Sequence, residues 1–115
     1  MIALVEQNRE AIAELCRTYG VYKLDLFGSA TTGAFQPEKS DLDFVVNFWD
    51  RSGRYADRFL QLAESLEGLF DRDVDLITEA SVKSPLFKQM VDSQRETVFE
   101  DRSREAAARR ADSLQ

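Results

Sequence analysis

Two short segments, VYKLDLF (Val21–Phe27) and DLDFVVNF (Asp41–Phe48), constrain this chain more than anything else in it. Each alternates in side-chain character and is rich in β-branched and aromatic residues, the pattern of a strand in a small sheet. The second opens with a carboxylate on either side of Leu42. Side chains two apart on a strand share a face. Asp41 and Asp43 therefore project together with Val45, while Leu42, Phe44 and Val46 point into a core. Two like charges so placed repel unless something neutralises them.

The rest of the chain supplies what must cover such strands. Val5, Ile12, Leu15, Cys16 and Tyr19 recur at helical spacing, and Gly20 is placed to end that helix. Tyr55, Phe59, Leu62, Ala63, Leu66, Leu69 and Phe70 form a strongly amphipathic helix. DVDLI (Asp73–Ile77) reads as a third strand and SPLFKQMV (Ser84–Val91) as a helix with proline in its first turn. ETVFE (Glu96–Glu100) is an edge strand or a continuation of that helix. Gly28–Gly33 reads as a turn or short helix, and Ala34–Ser40 as a loop around Pro37. This order predicts an α/β (α+β) fold, a small mixed β-sheet covered by helices. At 115 residues one domain is expected, over residues 1–100. Residues 101–115 read as a charged, frayed helical tail, with a Glu105–Arg109 pair but no apolar stripe.

Composition removes several chemistries. Histidine is absent, so imidazole bases, Ser-His-Asp triads and most zinc sites are excluded. The single cysteine, Cys16, permits no disulfide within the chain and reads as a buried helix residue. A net charge of −6 argues against broad affinity for DNA or RNA, and no direct nucleic-acid partner is expected. The apolar runs are too short to span a membrane and no signal peptide opens the chain, so the expected location is cytoplasmic.

What neutralises the aspartates is then the central question. Carboxylates on one strand face can converge on a divalent cation, and magnesium takes a few of them together with substrate phosphates. Two such ions about 4 Å apart can activate an attacking oxygen and clamp a leaving one. DRDVDLI offers a third carboxylate from Asp71, Asp73 or Asp75. Asp75 lies deepest in the apolar run and is the candidate, with Asp73 the alternative. Gly28 and Ser29 supply a phosphate side: glycine lets backbone N–H groups approach a ligand, a helix start adds partial positive charge, and the hydroxyl adds a donor. Gly33 would leave room for a polyphosphate.

Phe27-Gly28-Ser29, Gly33, Ser40-Asp41-Leu42-Asp43 and Val74-Asp75-Leu76 together resemble the minimal nucleotidyltransferase domain, a small member of the DNA polymerase β-like superfamily. The resemblance runs from about Leu24 to Ile77, and more loosely to about Phe99. It implies a polymerase β palm-like fold in which Gly28, Ser29 and Gly33 hold the triphosphate of ATP. It also implies that Asp41, Asp43 and Asp75 bind Mg²⁺, as a pair of ions, and that Asp75 assists the metal or serves as base. An acceptor oxygen would attack the α-phosphorus and release pyrophosphate.

Many members of this family are antitoxins encoded beside a HEPN ribonuclease toxin. That implies a HEPN toxin partner in a hetero-oligomer, with AMP placed on one of its tyrosines. The chain departs from its relatives at Ala30, Thr31 and Thr32, where they often carry arginine. The threonine hydroxyls, Lys39 or Arg72 are the candidates to balance phosphate charge instead. A binding module that silences the toxin by contact alone fits the same motifs. An enzyme acting on a small molecule fits less well, since such relatives carry an additional domain for the acceptor. Several residues also have plainer readings: Ser29 as a helix cap, Trp49, Phe48 and Tyr55 as a core rim rather than a base-stacking platform, and Arg95 and Glu96 as residues without an interface role.

Overall fold

Both segments are strands, β1 (Val21–Phe27) and β2 (Leu42–Phe48), paired antiparallel. The computed structural model describes residues 1–50 and 54–101, so the expected tail helix with its Glu105–Arg109 pair lies outside the described residues. β3 (Val74–Thr78) joins β2 in parallel and β4 (Glu96–Glu100) joins β1 antiparallel, giving a mixed sheet in the order β3-β2-β1-β4. The last segment is thus an edge strand and not a helix continuation. α5 (Pro85–Gln94) stops at Arg95, whose backbone is already extended, and Thr97, Val98 and Phe99 favour a strand.

One face of the sheet is covered by α1 (Ala3–Gln7), α2 (Arg9–Thr18) and α4 (Tyr55–Phe70). The expected single N-terminal helix is broken at Asn8, whose side-chain amide donates to the Leu4 carbonyl at 2.8 Å. Asparagine competes in this way with regular helical bonding. Gly20, at φ +74°, turns the chain out of α2 into β1. Val5, Ile12 and Cys16 meet Leu62, Leu66 and Phe70 of α4 over Leu24, Leu26, Leu42, Phe44 and Val46 of the sheet. Burial of each large apolar side chain here contributes about 1.5–3 kcal/mol. The same burial pushes the Cys16 thiol up to about 12, which leaves it an inert core residue. Among the described residues no helix is long and apolar enough to cross a membrane.

The opposite face is only partly covered. α5 begins at Ser84, whose hydroxyl accepts from the Phe87 N–H, and lays Val91 on Phe27 and Val45. Beside this small second core sits a charge that alternation did not single out. Asp25, in the middle of β1, is 1% exposed. Arg95 Nε donates to Asp25 Oδ2 at 2.7 Å, and the same guanidinium reaches Glu79 and Asp92, each at 2.9 Å. Partial burial opposes the charge on Arg95, but the hydrogen bonds to Glu79, Asp25 and Asp92 outweigh it and raise its pKa. Arg95 is therefore an internal tie, joining β1, the 3₁₀ turn Glu79–Ser81 and the end of α5.

Removing that guanidinium would leave the Asp25 carboxylate buried without its closest cation. Arg95→Met is expected to lower stability by about 3–5 kcal/mol in urea denaturation. Asp25→Asn added to Arg95→Met should recover part of the loss, because the buried charge is then gone.

Candidate functional site

Strand register brings the acidic residues together. Asp43 lies opposite Asp75 in the parallel β2–β3 pair and opposite Phe27 in the antiparallel β1–β2 pair. The carboxyl of Asp75 acts on that of Asp43 at hydrogen-bonding range. Asp73, the alternative, precedes β3 and is exposed, and its backbone carbonyl accepts from the Leu42 N–H. Asp41 stands exposed just ahead of β2 and acts on Asp43 through its charge.

Asp43 is half-buried, and its pKa rises from the ordinary 3.8 to about 6. Burial is the largest cause, followed by the charge and hydrogen bond of Asp75 and then by the charge of Asp41. A surplus of negative charge on hard oxygen donors suits magnesium. By donor chemistry Asp41, Asp43 and Asp75 fit such an ion. Among the described residues, however, no three acidic or cysteine side chains are gathered so as to hold a metal ion by themselves. Phosphate oxygens and water would have to complete the coordination, which is how magnesium is usually held.

The turn expected to face phosphate is built around Gly28, at φ +77° and ψ −152°. Glycine is required there twice over, since only it adopts this backbone freely and a Cβ would run into the Asp43 carboxylate. Ser29 is the first residue of α3 (Ser29–Thr32), whose cap is Gly28, so the hydroxyl of Ser29 is not a cap. Thr31 donates from its hydroxyl to the Gly28 carbonyl at 2.9 Å, and Thr32 donates to the Ser29 carbonyl at 3.5 Å. These hydroxyls are turned into α3, which corrects the expectation that they balance phosphate charge. Gly33 ends α3 at φ +82°, with no atom within 4 Å of where a Cβ would stand. Its requirement is conformational.

Lys39 and Arg72 line a polar pocket of about 370 Å³ together with Ser40, Asp41 and Asp73. Arg72 Nη1 donates to the Ser40 carbonyl at 3.1 Å, and the guanidinium lies 5.3 Å from the centre of the Phe35 ring. Both cations thus flank the Asp41 end. A separate apolar groove of about 550 Å³, between α4 and the end of β3, has no carboxylate in its lining. Trp49 packs edge-on against Tyr22 and donates to Asp101, while Phe48 packs edge-on against Tyr55. These rings form a rim of the core. Gln94, which no sequence signal marked, accepts from the Gly28 N–H at 3.0 Å.

Comparison with known proteins places this geometry in context. Residues 9–103 match the nucleotidyltransferase domain family. The protein adenylyltransferase MntA of Thermococcus cleftensis is 35% identical over 86 residues, which cover 75% of this chain and 81% of that protein. A chain from the crystal structure of a toxin-antitoxin complex with AMP-PNP superposes with a TM-score of 0.62 at 27% identity, covering 93% of this chain and 86% of that one. A chain from the structure of the tri-AMPylated Shewanella oneidensis HEPN toxin in complex with MNT antitoxin gives a TM-score of 0.60 at 24% identity. It covers 90% of this chain and 78% of that one, a likeness that speaks for the fold alone.

Asp43→Asn keeps the shape and removes the charge. Folded Asp43 holds its proton up to about pH 6 and unfolded Asp43 only to 3.8, so its ionisation makes stability fall as pH rises through that window. Above the window the variant should be the more stable protein by about 1 kcal/mol, after discounting for solvent screening, or ~4 °C in thermal melting. Below about pH 4 the difference should vanish.

Proposed function

The chain belongs to the nucleotidyltransferase domain family, and from that membership we propose that it transfers AMP from ATP to a tyrosine hydroxyl of a HEPN toxin, acting as its antitoxin in a hetero-oligomer. The observation that supports this most is the side-by-side placement of Asp43 and Asp75, with the Gly28 backbone packed against Asp43. The related protein adenylyltransferase and the toxin-antitoxin complex with AMP-PNP point to the same nucleotide and the same kind of partner.

Ser29 would hold the triphosphate through its backbone N–H and hydroxyl, and Gly28, whose own N–H is taken by Gln94, would let the phosphates come close to the backbone. Gly33 would leave its outer end open, and Lys39 and Arg72 would add positive charge nearby. Magnesium held by Asp41, Asp43 and Asp75 would offset the charge of the phosphates and of the departing pyrophosphate. Asp75, exposed on the edge strand β3 beside Asp43, is open to an incoming acceptor. It would take the tyrosine proton as the phenolic oxygen forms its bond to the α-phosphorus and the bond to pyrophosphate breaks. Such transfer needs little covalent work from the protein; positioning and charge neutralisation supply most of the rate.

Incubation with Mg²⁺, each nucleoside triphosphate and a HEPN toxin, followed by intact mass measurement of the toxin, tests this reading. One or more AMP additions, absent without metal, are expected with ATP. Asp41→Asn and Asp43→Asn should each reduce the rate at least about 100-fold. A doubly substituted protein that still silences the toxin as a stoichiometric complex would replace transfer with contact alone.

A further inference from the structure

α5 ends where the Gly28–Ser29 turn begins, and a hydrogen bond joins them. In the β1–β4 pair Leu26 lies opposite Glu96. Two residues further along, Gly28 lies where the ladder would meet residue 94, but Gln94 is still helical. Its side-chain oxygen stands in for the missing strand carbonyl and accepts from the Gly28 N–H at 3.0 Å. At the other side of the residue, the Gly28 carbonyl accepts from the Thr31 N–H at 3.0 Å and the Thr31 hydroxyl at 2.9 Å. Both polar backbone groups of Gly28 are thereby pinned. Without such restraint a glycine has the widest conformational freedom of any residue.

Gln94 is itself held in place. Val91, one turn earlier, is buried on Phe27 and Val45, and Arg95, the next residue, is clamped by Asp25, Glu79 and Asp92. We propose that Gln94 is a positioning residue for the nucleotide: its amide oxygen sets the Gly28–Ser29 turn at the spacing from Asp43 that a magnesium-bound triphosphate requires. This rests on the nucleotidyltransferase function above. Because the turn grips the phosphates alike before and during transfer, loosening it weakens binding and leaves the chemical step largely intact.

Gln94→Met keeps the length of the side chain and removes the acceptor. Calorimetric titration with Mg-ATP should show about tenfold weaker binding than wild type, the effect of one lost hydrogen bond at a part-buried donor. In the transfer assay KM for ATP should rise by a similar factor, with kcat within about threefold. Ile12→Val, which thins the main core on the other face of the sheet, supplies the comparison: it should lower the melting temperature and leave ATP affinity at the wild-type value. Wild-type or tighter ATP binding by Gln94→Met overturns the proposal, as does equal weakening by Ile12→Val or a Gln94→Met chain that does not fold. Failure of the wild type to bind Mg-ATP would instead overturn the function, and this inference with it.

Discussion

The register between β2 and β3 is the constraint on which the rest of this structure depends. Side chains in a strand repeat every two residues, so a slip of one position would send Leu42, Phe44 and Val46 to the open face and the carboxylate of Asp43 into the core. Apolar burial holds the register at about 1.5–3 kcal/mol per large side chain. The repulsion it imposes on half-exposed Asp43 and exposed Asp75 is screened by water and is the smaller effect. The fold can therefore maintain an electrostatically unfavourable pair without a bound ion, at the place where a cation and phosphates would gain most.

The two faces of the sheet divide the work. One carries the main core, where α2 and α4 close over apolar side chains and even Cys16 is reduced to packing. The other is covered by α5 with Val82 packed beside it, which leaves the Asp43 end open and ties down the Asp25 end through Arg95. Gly28 stands where these regions meet, against Asp43 on one side and α5 on the other. Small changes in α5 can thus reach the Gly28–Ser29 turn without touching an acidic residue.

Much of this was legible in the sequence, for local reasons. β1, α4 and the strand that begins at Leu42 stand out because their periodicity records which face is buried. Asp75 was singled out as a charge deep in an apolar run, yet it is exposed on the edge strand β3; the parallel register with β2 is what sets it opposite Asp43. What escaped detection depends on neighbours distant in the chain. Asp25 looks like any polar residue in an alternating strand until Arg95 is folded against it, seventy positions on. Gln94 has no local mark at all, since its role exists only where the β1–β4 ladder gives out. Thr31 and Thr32 have donors that suit phosphate, but a short helix consumed them. Asn8 broke a helix that apolar spacing alone would have continued.

The parallel pairing of β2 with β3 has a consequence for how the molecule comes into being. Parallel neighbours cannot be joined by a tight hairpin, and here α4 makes the crossing between them. Asp75 consequently reaches Asp43 only after a long-range closure, the kind of event that dominates folding time in small domains. A nascent or partly denatured chain with β1 and β2 already zipped would hold two aspartates and no third. The full acidic group should therefore assemble only once that crossover has closed, so that partly folded copies lack it.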